Sequence, residues 1–198
     1  MNAPFHPDTL AVHAGRTVDP ATGAVTPGIV LSTTFERAAD GTLPHGYMYS
    51  RLDAPNRLAL ESALAALEGG VSAVAFSSGQ AACAAVLQAL EPGSRVVFPD
   101  DIYHGTRHLV KHVYGRWGVG VEFLDFTDLA LVERTLRTPA GLVWIETPSN
   151  PRLKIADIEA VARMGRAAGA LVGADNTWAP PGLQRPLAPG APVSMHST

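Results

Sequence analysis

Between residues 70 and 175, short apolar runs alternate with helical segments, and this alternation constrains the fold more than any other property of the chain. The runs at 72–76, 95–98, 119–124, 141–145 and 170–174 are apolar almost throughout, not at every second position, which is the pattern of strands buried on both faces. Between them, 81–90, 105–114, 128–136 and 157–168 read as helices, the last ended by Gly169. Upstream, Pro55 and Asn56 open a helix that sets Leu60, Leu64 and Leu67 at helical spacing and closes on Gly69-Gly70. Such alternation predicts an α/β fold with an open, mostly parallel sheet covered by helices on both faces. Ligands then belong at the carboxyl ends of the strands.

The first 50 residues lack this pattern. They are rich in Pro, Gly and Thr, carry little periodicity, and read as an extended arm. An arm that cannot bury itself is expected to pack on another surface, typically a second subunit. The expected organisation is therefore an arm, 1–50, followed by a ligand-binding domain over 51–198. A length of 198 residues with 46% hydrophobic content is enough for a real core. A net charge of -3 without a Lys/Arg run leaves no electrostatic footprint for nucleic acid or an anionic membrane, so the expected partner is a small molecule. No apolar run approaches the roughly 20 residues that span a bilayer. The start Met1-Asn2-Ala3-Pro4-Phe5-His6-Pro7 lacks the regions of a signal peptide, which makes the cytoplasm the expected compartment. The single Cys83, set among alanines, reads as a small buried hydrophobe and agrees with a reducing environment.

Chemistry-bearing residues gather where strands are expected to end. Ser77-Ser78-Gly79-Gln80 joins a strand to a helix, so unpaired amides at the helix start can face an anion while Gly79 lets the backbone approach; the same residues also suit any tight turn. Asp175 follows the run 170–174 and is followed by Asn176-Thr177. Glu146-Thr147-Pro148-Ser149-Asn150-Pro151 closes the strand before it, and Tyr103 stands in Asp101-Ile102-Tyr103-His104-Gly105-Thr106. His104, His108 and His112 recur every four residues and share one helical face. With Arg107 and Lys111 interleaved and no His-Glu-x-x-His, that face reads as polar or interfacial and not as a metal site. No Gly-x-Gly-x-x-Gly follows a strand, which disfavours a dinucleotide.

These motifs resemble the cysteine and methionine metabolism family of pyridoxal-phosphate (PLP) enzymes, which includes cystathionine gamma-synthases, cystathionine lyases and methionine gamma-lyases. The resemblance runs from about Leu10 to Thr198. It implies a fold-type I (aspartate aminotransferase-like) domain, pyridoxal 5'-phosphate as cofactor, and a homo-oligomer in which two subunits share two active sites, commonly a homotetramer. It implies that Asp175 pairs with the protonated pyridine nitrogen and sustains the electron sink. Tyr103 would stack on the ring and relay protons, with Thr177 beneath the ring and Asn150 beside the cofactor hydroxyl. Ser78, Gly79, Gln80 and Ser197 would hold the phosphate, Gln80 standing where the family has Met. Tyr49 and Arg51, in Tyr49-Ser50-Arg51, would reach the neighbouring subunit's phosphate, where an Arg grips oxygens bidentately. The family's Asn-Pro-Thr is here Ala54-Pro55-Asn56, with Asp53 just ahead; Asp53 would either weaken that phosphate site or pair with Arg51.

The family pattern ends Ser-x-Thr-Lys, and Ser197-Thr198 matches its first two positions. The lysine that anchors the cofactor is therefore expected at the second position after Thr198, with the substrate-carboxylate arginine and a small C-terminal domain beyond. Lys111 and Lys154 stand in the wrong context. The chain is expected to be the front part of a longer enzyme, the alternative being a fragment unable to anchor its cofactor. The reaction implied is elimination or replacement at Cβ or Cγ of a sulfur amino acid. Trp178 resembles some beta-lyases, whereas Glu146 to Pro151 and Gln184-Arg185-Pro186-Leu187 resemble the gamma-synthase and gamma-lyase branch, which is the reading adopted. The competing class is a catalytically inactive α/β module for PLP or another phosphorylated ligand.

Overall fold

The computed structural model describes residues 5–197. The chain divides into two compact units, Met1–Ala75 and Phe76–Thr198.

In the first unit, helix α1 (Pro7–His13) stands within the stretch read from sequence as an extended arm, and helix α2 (Pro55–Glu68) follows it. Pro55 occupies the first turn of α2, where its missing N–H costs nothing, and Gly69 ends the helix in the left-handed region at φ 72°. Asn56 fastens the intervening chain to the start of α2. Its side-chain amide donates to the Gly28 carbonyl and accepts from the Val30 N–H, both at 2.9 Å. A single bridge, Thr34 to Tyr49, pairs two further stretches of the arm.

The second unit carries α3 (Gly79–Gln88), β1 (Arg95–Pro99), α4 (His104–His112), a short 3-10 turn (Tyr114–Trp117) and β2 (Gly120–Leu124). It continues through α5 (Leu129–Thr135), β3 (Leu142–Glu146), α6 (Ile158–Ala167), β4 (Leu171–Asp175) and β5 (Val193–Met195). The strands lie in the order β2-β1-β3-β4-β5 and every pairing is parallel. Alternate residues of each strand feed opposite faces. Val97, Val143, Ile145 and Val172 pack with Val132 of α5 and Val161 of α6, while Val96, Phe98, Leu142 and Trp144 pack with Cys83 and Leu87 of α3 and Val110 of α4. Side-chain oxygens of Ser78, Asp128 and Asp157 cap α3, α5 and α6 by accepting the N–H three residues on.

Two departures from the sequence reading concern strands. The run 72–76 takes no regular secondary structure and pairs with no strand among the described residues, and its Val74 and Phe76 side chains are exposed. An apolar run becomes a strand only where a neighbour supplies its hydrogen bonds, and composition does not report the neighbour. Conversely β5 is a strand of three residues, too short for periodicity to announce, and β4 recruits it at the edge.

The order also locates the site. From β1 the chain steps outward to β2 and then returns to the other side of β1 as β3, so the connections leaving β1 and β3 diverge. Divergent connections open a crevice at the carboxyl ends of those strands.

Candidate active site

That crevice is a cleft of about 390 Å³ lined by Ser78, Gly79, Gln80, Tyr103, Glu146, Asn150, Asp175, Thr177, Trp178, Met195 and Ser197. The eight site residues expected from the second unit therefore meet in one place. Tyr49 and Arg51 belong to the first unit. There the Arg51 guanidinium lies 4.8 Å from the centre of the Tyr49 ring, and Asp53 turns to Arg57 at 3.5 Å, so the pairing of Asp53 with Arg51 is not formed. Thr198 lies outside the described residues, as does the position expected for the lysine.

The floor of the cleft is a row in register across three strands: Glu146 opposite Asp175, and Asp175 opposite Met195. Residues paired in this way point to the same face of a parallel sheet. That face also carries Trp144, whose ring fills the space above Gly173, where a Cβ would come within 2.7 Å of it. Asp175 is only 7% exposed, and burial is the main reason its pKa is raised, opposed by hydrogen bonds from Thr177 and by the nearby His196. Its Oδ1 accepts the Thr177 N–H at 3.0 Å, and Thr177 Oγ1 accepts the Ser197 N–H at 3.0 Å. The acid, the threonine and the serine are thus held as one chain of contacts.

The wall opposite is the start of α3. The Ser78 hydroxyl accepts the Ala81 N–H at 3.1 Å, and the Ser78 carbonyl accepts that of Ala82. The amides of Gly79 and Gln80 are left at the open end of the helix, where backbone N–H groups and the helix dipole favour an anion. Ser197 closes the far side. A Cβ on Gly79 would meet the Ser197 side chain at 2.8 Å, so only glycine permits this approach. Tyr103 forms the third wall: its ring lies against Gly105, where a Cβ would come within 2.6 Å of it, beside the Gln80 amide that donates to Thr106 Oγ1 at 3.2 Å.

Glu146, Trp178 and Met195 also line the cleft, and the motif reading gave them no role there. Glu146 is 3% exposed and accepts backbone N–H groups from Tyr103, at 3.1 and 2.9 Å, and from Asn150, at 2.9 Å. Burial first, then the charges of Asp175 and Asp101, push its carboxyl up to about 7 against the pull of those two amides. The signal was in the sequence as a charge ending a run that is otherwise apolar. The neighbouring Asp101 accepts from the Ser149 hydroxyl at 2.7 Å and the Arg152 N–H at 3.1 Å, so two acids stitch the loop after β1 to the loop after β3. Among the described residues no group of His, Cys, Asp and Glu is arranged to hold a metal ion. The three histidines form an exposed ladder on α4, with ring centres 6.3 and 4.6 Å apart, while Arg107 and Lys111 turn to the Phe123 ring. Cys83 is buried, with its thiol pushed up to about 12, mainly by desolvation, and is chemically quiet.

An anion cradle, an aromatic wall and a buried acid at one strand end fit a phosphorylated ring with a basic nitrogen. Comparison with known proteins leads to the same chemistry. Residues 8–198 match the family described as Cys/Met metabolism PLP-dependent enzyme. The chain is 48% identical over 193 residues to the cystathionine gamma-synthase of Mycobacterium tuberculosis, covering 97% of this chain and 50% of that protein. It is 41% identical over 197 residues to the cystathionine beta-lyase of Coxiella burnetii, covering 99% and 51%. The crystal structure of cystathionine gamma synthase from Xanthomonas oryzae pv. oryzae in complex with aminoacrylate and cysteine superposes with a TM-score of 0.92 at 40% identity, covering 98% of this chain and 50% of that one. The chain thus spans about half the length of these relatives. With the fold, the cleft and the family match in agreement, the chain belongs to the Cys/Met metabolism family of PLP-dependent enzymes.

Proposed function

We propose that this chain supplies the cofactor-binding part of a transsulfuration-type enzyme that acts on sulfur amino acids by gamma- (or beta-) elimination or replacement, most like a cystathionine gamma-synthase or gamma-lyase. The observation that carries this reading is the convergence in one cleft of Asp175, Tyr103, the open start of α3 and Ser197. When bound, PLP supplies the electron sink that stabilises negative charge at the substrate Cα.

The chain's own residues prepare that site. The buried Asp175 carboxyl, raised by desolvation, regains its ionised form most readily against a positive group, so it selects the protonated state of a ring nitrogen. The Gly79 and Gln80 amides, with the hydroxyls of Ser78 and Ser197, take the phosphate. Thr177 would support the ring and Asn150 would hold its hydroxyl, both residues lining the same cleft. Tyr103 offers an aromatic face and a phenol for proton relay. Tyr49 and Arg51 act on a second subunit's phosphate, which makes the arm part of a homo-oligomer, a dimer of site-sharing subunits commonly doubled to a tetramer. The anchoring lysine belongs at the second position after Thr198, and the substrate-carboxylate arginine to a small C-terminal domain. The cytoplasm is the compartment proposed for such a protein.

Trp178 lining the cleft favours a second reading, cystathionine beta-lyase. Incubation of the full-length, PLP-loaded protein with cystathionine separates the branches: 2-oxobutyrate marks a gamma-lyase and pyruvate a beta-lyase, while a synthase consumes an activated homoserine ester with cysteine. A visible absorption band bleached by borohydride is expected. Failure of the full-length protein to bind PLP would overturn the proposal in favour of a module for another phosphorylated ligand.

A further inference from the structure

We propose that Glu146 is a positioning residue of the PLP site, whose carboxylate fixes Tyr103 and Asn150 through their backbone amides and so sets the ring wall and the hydroxyl side of the cleft together. This rests on the PLP reading of the site.

The geometry is specific. Tyr103 is the cap residue immediately before α4, and no side chain caps that helix locally. Its N–H instead meets both Glu146 oxygens, at 3.1 and 2.9 Å, from a residue on another strand. The same Oε1 accepts the Asn150 N–H at 2.9 Å. One carboxylate therefore ties the loop after β1 to the loop after β3 at the point where the connections diverge. It stands in register with Asp175, so the clamp and the acid share one row of the sheet.

Holding a carboxylate there is costly to the fold. Burial and the facing acids Asp175 and Asp101 raise Glu146 to about 7, so the folded chain favours the protonated form. Cys83, on α3, is a further titratable group that feels the charges of Glu146 and Asp175, and His196 lies near Asp175. The sign follows from the raised value. Below the unfolded carboxyl range the group carries no penalty; the penalty grows as pH rises toward about 7 and is complete above it. Protonation places a hydrogen on one of the two oxygens that must accept N–H groups, so the clamp is complete only in the ionised form.

The test is Glu146→Gln in the full-length protein. The amide is nearly isosteric and cannot ionise, but it keeps a single acceptor oxygen. The thermal midpoint at neutral pH is expected to stay or rise, while the apparent dissociation constant for PLP, from spectral titration, rises about tenfold for the loss of charged hydrogen bonds. The ratio of variant to wild-type constants should grow as pH rises through about 7, where the wild-type clamp becomes ionised. In a double-mutant cycle with Tyr103→Ala, the two losses should be less than additive, because both act on the same wall. A lowered midpoint with an unchanged PLP constant would make Glu146 merely structural and overturn the proposal, as would full additivity with Tyr103→Ala. Should Glu146→Gln fail to fold, the inference falls too, since it requires the carboxylate to be dispensable for stability. Absence of PLP binding by the wild type would instead overturn the cofactor reading.

Discussion

The two units of the chain bury themselves very differently. Between residues 76 and 197 a five-stranded sheet is packed on both faces, and residues such as Leu142, Val143 and Val172 have no exposed surface. Between residues 5 and 75 only Glu68 is buried, while Ile29 and Leu31 are 85% and 87% exposed. The first behaviour is that of a domain that closes its own core. The second is that of a surface element, because each exposed Ile or Leu side chain forgoes roughly 1.5–3 kcal/mol that a covering surface would return. The contrast agrees with the proposed division of labour, with cofactor chemistry on the self-sufficient unit and assembly on the arm.

The contrast can be broken most directly at the acid. Asp175→Asn in the full-length protein should lower turnover by about 100- to 1000-fold, equivalent to roughly 2.7–4 kcal/mol of barrier, as steady-state kinetics would report. A variant retaining near wild-type turnover would remove Asp175 from the chemistry. Arg51→Ala should also be impaired if the arm serves a partner's site. Co-refolding it with Asp175→Asn should then regenerate activity absent from either alone, since a mixed dimer contains one intact pair of contributions. No recovery would return Arg51 to its own subunit.

Stability offers the next comparison. Leu142→Ala should cost about 2–5 kcal/mol in denaturant unfolding, because it opens a cavity in a closed core. Leu31→Ser should move the unfolding midpoint of the monomer by no more than about 0.5 kcal/mol. Its effect should appear in the sedimentation mass, as weakened association. Equal effects of the two substitutions on unfolding would erase the distinction between the units.

The smallest effect is expected at the surface pair of the second unit. Lys154 Nζ lies 2.8 Å from Asp125 and 3.0 Å from Asp100, and the Lys154 ammonium and the Thr127 hydrogen bonds hold Asp125 down to about 2. A depressed carboxyl stabilises the fold above its unfolded pKa, and that contribution disappears as pH falls through about 2. Both partners are solvated, so Asp125→Asn should cost less than about 1 kcal/mol at pH 7 and nothing in strong acid, by pH-dependent unfolding.

Much of this was legible in the sequence. The four strands 95–98, 119–124, 141–145 and 170–174 appear within a residue of their expected bounds; β1, β3 and β4 are buried almost throughout and leave a nearly continuous apolar record, while the edge strand β2 alternates in exposure around Glu122. Ser78, Gly79, Asp175 and Ser197 were singled out by their likeness to the family's motifs, and what the fold adds is that it brings them to one cleft. The run 72–76 and β5 were misjudged or missed because pairing depends on a neighbour and not on local composition. Glu146 was read only as part of a motif, since no spacing rule shows that its carboxylate meets amides 43 and 4 residues away in the chain.

The sequence by itself determined the class of fold, the family and the residue types from which a phosphate cradle and a cationic-ring partner can be made. Those follow from local hydrophobic pattern and from chemistry that only certain side chains possess. Tertiary structure alone decided that Glu146, Asp175 and Met195 stand in one row and that Gly79 meets Ser197. These are contacts between residues distant in the chain, and they are fixed by strand order, register and packing, quantities that no local window contains.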